Sequence, residues 1–179
     1  MSVTALDLFA ARVRAAWGPL TSDLVGECRR QLEVLARAPA SEAWLAGLQA
    51  HRPAGEDLCR DADHGFVLLA HAEQAGLYRP PHDHGRAWVV YALLEGEIEM
   101  RTFARVEDAD GLRLVQRDCV VLRAGQAQAY LPCDIHDTRC LSETALLLRF
   151  TERDLKVEDR GEGRVMRYPA PADGWKSGR

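Results

Sequence analysis

The chain reads as one all-β domain with helices at its N-terminus, and three features of the sequence say so. Apolar side chains recur at helical spacing over roughly the first fifty residues, short apolar or alternating runs replace that pattern from about Leu58, and glycine- and aspartate-containing turns separate the runs. Its 179 residues, 47% apolar and 28% charged, suffice for one soluble globular domain with a sizeable core. The 27 acidic and 23 basic residues are interspersed and sum to −4, which leaves no basic footprint for nucleic acid. The longest apolar run, 87–94, is far shorter than the roughly 18 residues of a membrane span, and the N-terminus lacks a basic-then-apolar leader. Five cysteines without a Cys-x-x-Cys spacing disfavour a disulfide scaffold or a structural zinc site. The expectation is a cytoplasmic protein with reduced thiols, a monomer or homodimer that binds neither nucleic acid nor membrane.

In chain order, Leu6, Phe9, Ala10, Val13 and Trp17 form one amphipathic helical stripe, with Thr4 and Asp7 as its capping box and Gly18-Pro19 as its stop. Leu24, Cys28, Leu32 and Leu35 make a second stripe after Thr21-Ser22-Asp23, and Ser41 is expected to cap a short third helix carrying Trp44, Leu45 and Leu48. Strand-like runs follow at 66–71, 87–94, 97–103, 112–115, 119–123, 127–131, 134–140 and 144–150. Turns are expected at 61–65, at Glu95-Gly96, at 108–111 and at Ala124-Gly125. Strands this short and regularly spaced predict an antiparallel sandwich or barrel. The division is a helical segment, 1–55, packed on a barrel, 56–158, with a loop-like tail, 159–179, that carries Gly161, Gly163, Pro169, Pro171 and Gly174.

Within this frame His82-Asp83-His84 is the most informative tripeptide. Residues two apart on a strand share a face, so both imidazoles can meet one metal while Asp83 points the other way. His136, in the strand-like stretch 134–140, can return to the same barrel and complete a set of three. An isolated His-x-His also suits a surface turn after Pro80-Pro81; the strand-rich context and the third histidine favour the metal reading. Three neutral imidazoles leave coordination positions open, as a catalytic site requires. They suit iron, copper, zinc and nickel alike. His51, His64 and His71 lack such a frame and are expected on the surface or in the core.

These residues carry a resemblance. Gly76-(x5)-His82-x-His84 followed by Gly96 resembles the first cupin motif, and Gly125-(x5)-Leu131-Pro132-Cys133-(x2)-His136-(x3)-Cys140 resembles a degenerate second one. Among cupins, the stretch 58–151 is similar to the thiol dioxygenases, which include cysteine dioxygenase and 3-mercaptopropionate dioxygenase. The resemblance implies a cupin double-stranded β-helix, a jelly-roll barrel, with Fe(II) held by His82, His84 and His136. It implies further that O2 and a small carboxylate-bearing thiol are the partners, that the thiol is oxidised to a sulfinate, and that no organic cofactor takes part. The glutamate ligand of general cupins would fall at Val89, which leaves a three-histidine site, and valine cannot form the cysteine-tyrosine cross-link of mammalian cysteine dioxygenases. The same ligands with zinc, nickel or copper would suit diketone cleavage or hydrolysis, and a metabolite-binding cupin without catalysis is a further reading.

Arg60 matches the place where these enzymes hold an arginine that pairs with the substrate carboxylate, a role suited to a guanidinium fork. The family's serine, histidine and tyrosine on the last strand correspond to Leu147, Arg149 and Thr151, provided these face inward; a slip of one residue would turn Leu146, Leu148 and Phe150 inward instead. Arg149, if inward, needs an acidic partner or an anionic substrate; the other reading places it at a strand end with its head in water. Tyr91 shares the Val89 face and is a candidate pocket residue, whereas Trp88 has the packing parity. Cys133 and Cys140 stand where the motif has a turn glycine and an asparagine, and are read as structural rather than as ligands.

Overall fold

A computed structural model describes residues 3–109 and 111–170. Residue 110 of the expected 108–111 loop and residues 171–179 of the expected tail lie outside them. Helix α1 (Ala5–Ala16) starts at a complete capping box, with the Thr4 hydroxyl accepting from the Asp7 amide at 3.1 Å and the Asp7 carboxylate accepting from the Thr4 amide at 2.9 Å. Helix α2 (Ser22–Ala36) is capped by Thr21, which accepts from the Leu24 amide. Helix α3 (Ala43–His51) departs from expectation: its cap residue is Glu42, not Ser41, and no side chain caps it. The Glu42 carboxylate is engaged elsewhere, accepting from the Ala5 amide at 3.0 Å and from Trp44 Nε1 at 3.1 Å, and so joins the starts of α1 and α3.

Nine strands follow: β1 (Glu56–Arg60), β2 (Val67–Gln74), β3 (Tyr78–His82), β4 (Val89–Glu95), β5 (Glu97–Asp108), β6 (Gly111–Arg123), β7 (Ala127–Tyr130), β8 (Ile135–Cys140) and β9 (Thr144–Thr151). They form two antiparallel sheets, ordered β1-β2-β9-β4-β7 and β3-β8-β5-β6, the all-β, double-stranded β-helix arrangement with N-terminal helices. The runs at 112–115 and 119–123 prove to be one strand, β6, because the exposed stretch between them is a bulge: Asp118 opposes Thr102, Gln116 opposes Phe103, and Arg117 is left over. Two strands escape the hydrophobic pattern. β1 is a partly exposed edge strand, and β3 contains Pro80 and Pro81, which a sheet edge tolerates because no ladder hydrogen bond is lost there.

The central pair β4 and β9 explains the continuous apolar run in the sequence. Both faces of the pair are covered. Val90, Ala92, Leu146, Leu148 and Phe150 face outward and pack with Phe66 and Leu68 against Phe9, Val13, Cys28, Leu32 and Leu35, the helices forming a third layer. Val89, Tyr91, Leu93 and Leu147 face inward, against Ile98, Met100, Leu122 and Tyr130. The register that turns Leu147, Arg149 and Thr151 inward is therefore the one adopted, since its alternative would set Arg149 among the helices. Trp88 joins Trp17, Phe66 and Phe150 in an aromatic cluster on the outer side. No helix among the described residues is long and apolar enough to cross a membrane.

Two local devices fix the layers. At the β4–β5 turn Gly96 has φ +85°, and a Cβ there would lie 2.4 Å from the Thr144 carbonyl oxygen and 2.5 Å from Ser142 Oγ, so only glycine fits. Between α1 and the segment after β1, Arg14 donates to the buried Asp61 at 2.5 Å, and Asp61 also accepts from the His64 amide at 2.8 Å. Burial by itself would raise the Asp61 pKa, but Arg14 and His64 together outweigh it and hold the carboxyl at about 2. A folded-state pKa below the unfolded value contributes stability above pH ~4 that is lost as pH falls towards 2. Chemical denaturation should accordingly show Asp61→Asn destabilised by about 1–3 kcal/mol at pH 7, with the gap to the native protein closing between pH ~4 and 2. Gly96→Ala is expected to cost about 2 kcal/mol or more in the same measurement at every pH.

Candidate metal centre

Three histidines converge at one end of the barrel. His82 is the last residue of β3 and pairs directly with His136 of β8. His84 lies just past the strand, whereas the sequence places it on the same strand as His82: the chain turns there, the Ala87 amide donating to the His84 carbonyl at 3.1 Å across Gly85, which has φ +60°. The turn is bracketed by Asp83. Its carboxylate accepts from the Gly85 and Met166 amides, each at 3.0 Å, and its own amide donates to the Met166 carbonyl. A side chain so engaged is no ligand, and the bracket makes the segment after β9 part of the site's support. That segment includes the π-helical turn Val157–Gly161, a bridge between Arg167 and His82, and a hydrogen bond from the Tyr168 amide to the Pro81 carbonyl at 2.8 Å.

The ring centroids of His82, His84 and His136 stand 4.7–5.1 Å apart, and one nitrogen from each lies within 4.8 Å of the other two. His82 Nδ1 lies 2.8 Å from the Pro80 carbonyl oxygen and must be its protonated nitrogen, which leaves Nε2 as a free lone pair. Neither ring nitrogen of the fully buried His136 has a hydrogen-bond partner, and its ring stacks on Tyr130 at 3.9 Å with 16° between planes. His84 Nε2 has the Tyr91 hydroxyl at 3.2 Å. Burial lowers the pKa of all three; in His84 and His136 the adjacent imidazoles push it further, to well below the usual histidine range. Three neutral rings at one point, with the buried His136 nitrogens unpartnered and His82 Nε2 left as a lone pair, fit a metal ion, because a cation satisfies nitrogens that otherwise stay unpaired. Two of the three, His82 and His84, line the wall of a cavity.

A cavity of about 650 Å³ adjoins this point. Arg149 and Tyr91, directly opposite one another on β9 and β4, both line it. Arg149 forms no ion pair with any described carboxylate, and its Nε is buried without a partner. The other cavity arginines are engaged: Arg79 donates to Glu73 at 2.7 Å, and Arg167 grips Asp159 through two hydrogen bonds of 2.8 and 2.6 Å.

Arg60 stands apart from the other candidates. It ends β1 outside the cavity wall, exposed, with its guanidinium held by Asp57 at 2.6 Å and Asp154 at 2.7 Å in a surface ion pair. Cys133 has φ +65°, as expected of a residue in a turn-glycine position, and Cys140 is buried with its thiol directed at backbone carbonyls. His51 pairs with Glu56 at the surface, and His64 packs on Trp17 beside Asp61. Asp61, Asp63 and His64 also come together, but Arg14 already occupies Asp61. His71 was expected in a bland role; it lines the cavity, together with Glu73. Both follow from the β2 register, in which Leu69 opposes the inward Arg149 and His71 the inward Leu147.

No protein-family model and no curated protein matches the chain. Several solved structures align with part of the chain. The Cnp3 cupin domain of Schizosaccharomyces pombe shares 13% identity at a TM-score of 0.45, over 62% of this chain and 66% of that one. Oxalate oxidase in complex with the substrate analogue glycolate shares 21% at 0.40, over 50% and 42%, and KdgF from Halomonas sp. 15% at 0.42, over 54% and 74%. The chain thus spans less than two thirds of the Cnp3 chain and under half of the oxalate oxidase chain.

His136→Ala and His82→Ala should each weaken metal binding by more than about 100-fold, the upper range seen on removing mere supporting residues of a ligand. Elemental analysis after metal loading measures this, and thermal melts check it independently. Added Fe(II) or Zn(II) is expected to raise the melting temperature of the intact protein and to leave both variants unmoved.

Proposed function

We propose that this chain is a metal-dependent oxygenase of the thiol dioxygenase type, oxidising a small carboxylate-bearing thiol to a sulfinate with O2. The observation that carries the proposal is that one cavity is lined both by His82 and His84 of the three-histidine group and by Arg149, which has no ion pair among the described residues. Fe(II) held by His82, His84 and His136 would supply the Lewis-acid and redox chemistry of the oxidation. Three neutral ligands add no negative charge, so the site favours an anionic substrate group.

The other steps belong to the chain itself. Arg149 presents a guanidinium to the substrate carboxylate, the charged partner that this inward arginine lacks among the described residues. In effect the last strand supplies the carboxylate clamp that Arg60 does not. Tyr91, its hydroxyl 3.2 Å from His84 Nε2 and its Cα opposite that of Arg149, stands between clamp and metal position and can hydrogen-bond a bound substrate there. Leu147 gives an apolar wall that fits the short carbon chain between thiol and carboxylate.

Protein loaded anaerobically with Fe(II) should consume O2 in the presence of small mercapto acids and form the sulfinate, detected by mass spectrometry. Arg149→Gln is expected to raise KM for carboxylate-bearing thiols by about 10- to 100-fold, corresponding to about 1.5–3 kcal/mol for a charge-assisted hydrogen bond. A thiol lacking the carboxylate should show no such change. Iron-replete protein that takes up no oxygen with any mercapto acid would refute the proposal, and zinc-dependent hydrolysis in its place would favour the hydrolytic reading of the same ligands.

A further inference from the structure

His71 and Glu73 lie two residues apart on β2, both buried and both on the cavity wall. His71 Nε2 stands 3.4 Å from Glu73 Oε1, which also accepts from Arg79 Nε at 2.7 Å. The carboxylate thereby selects the tautomer with the proton on Nε2 and leaves Nδ1 as a lone pair. That Nδ1 has no hydrogen-bond partner, and neither have Glu73 Oε2 and Thr138 Oγ1, two further buried atoms of residues that line the same cavity. Unmet capacity of this kind, gathered at one cavity, marks a place where a ligand group with a proton to give is received.

We infer that His71, oriented by Glu73, accepts the proton of the substrate thiol, an assignment that rests on the thiol oxidation proposed above. In this step the S–H bond breaks with its electron pair staying on sulfur, and the proton forms an N–H bond at His71 Nδ1. Glu73 balances the imidazolium; no oxidant or reductant enters. The charged groups facing His71 are Glu73 on its own strand, Arg79 on β3 and Arg149 on β9, while directly opposite on β9 stands the apolar Leu147. Burial keeps the resting ring neutral and so able to accept. Free thiols are mostly protonated at neutral pH, so an acceptor on the cavity wall answers a definite need.

Anaerobic calorimetric titration of the Fe(II)-loaded protein with 3-mercaptopropionate, repeated in buffers of different ionisation enthalpy, counts the protons released per thiol bound. With His71 as acceptor, the intact protein should release close to none at pH 7 and His71→Gln about one. Glu73→Gln should give an intermediate value, because the ring stays in place without its counter-charge. Release of about one proton by the intact protein would overturn the assignment to His71 while leaving the proposed function standing, and would do so even if the variants failed to fold. Absence of binding heat from the intact, iron-loaded protein would overturn the function and, with it, this assignment.

Discussion

Everything in this molecule hangs on the β4–β9 pair being buried on both faces. Strand alternation then sends one set of side chains to the helices and the other to the barrel interior, and the two sets cannot be exchanged. Val90, Ala92, Leu146, Leu148 and Phe150 need the helical layer to keep them dry, which is why the first fifty or so residues are part of the domain's core rather than an ornament on it. With that face fixed, Tyr91 and Arg149 have no direction but inward. An arginine in the middle of an apolar strand is thus a consequence of register and a statement about the cavity's contents.

The histidine site obeys a related constraint. Three imidazoles cannot be desolvated together as cations, so burial and mutual repulsion keep them neutral, the form in which nitrogen can ligate. Their positions are fixed by the Pro80 carbonyl for His82, the Tyr130 ring for His136, and the Asp83 bracket for the turn carrying His84. Asp83 also pins Met166, so the chain beyond β9 returns to close the site. Gly85 permits the close approach, since a Cβ there would lie 2.9 Å from Arg164 Cβ and from Glu158 Oε2.

The cavity's polar lining is spread over several strands. The last strand offers an arginine between a leucine and a threonine, and the Thr151 hydroxyl is directed at the Val67 carbonyl rather than into the cavity. On β2, one strand away in the same sheet, the buried His71 and Glu73 also line the wall, 3.4 Å apart. Arg79 and Arg167 are each matched by a carboxylate and so hold the walls in shape, which leaves Arg149 as the cavity guanidinium without an ion pair among the described residues.

The amino-acid sequence by itself determined the fold class, the helical lead-in with its Thr4 and Thr21 caps, most strands and the candidacy of the three histidines. These are properties of local spacing, and spacing is written in the chain. The register of β9 stayed open between two alternatives in the sequence, and the helical layer packed on Leu146, Leu148 and Phe150 decided it. The edge strands β1 and β3 were illegible, since an edge is defined by what is missing beside it, and the β6 bulge hid one long strand behind polar residues. Ser41 was displaced as a cap because Glu42 meets Ala5 and Trp44. Arg60 and His71 exchanged importance for the same reason: whether a side chain meets a surface carboxylate or a cavity depends on strand pairing between distant segments. Only the tertiary structure, by laying β2 against β9 and folding the last residues back onto Asp83, decided which polar groups face the histidines.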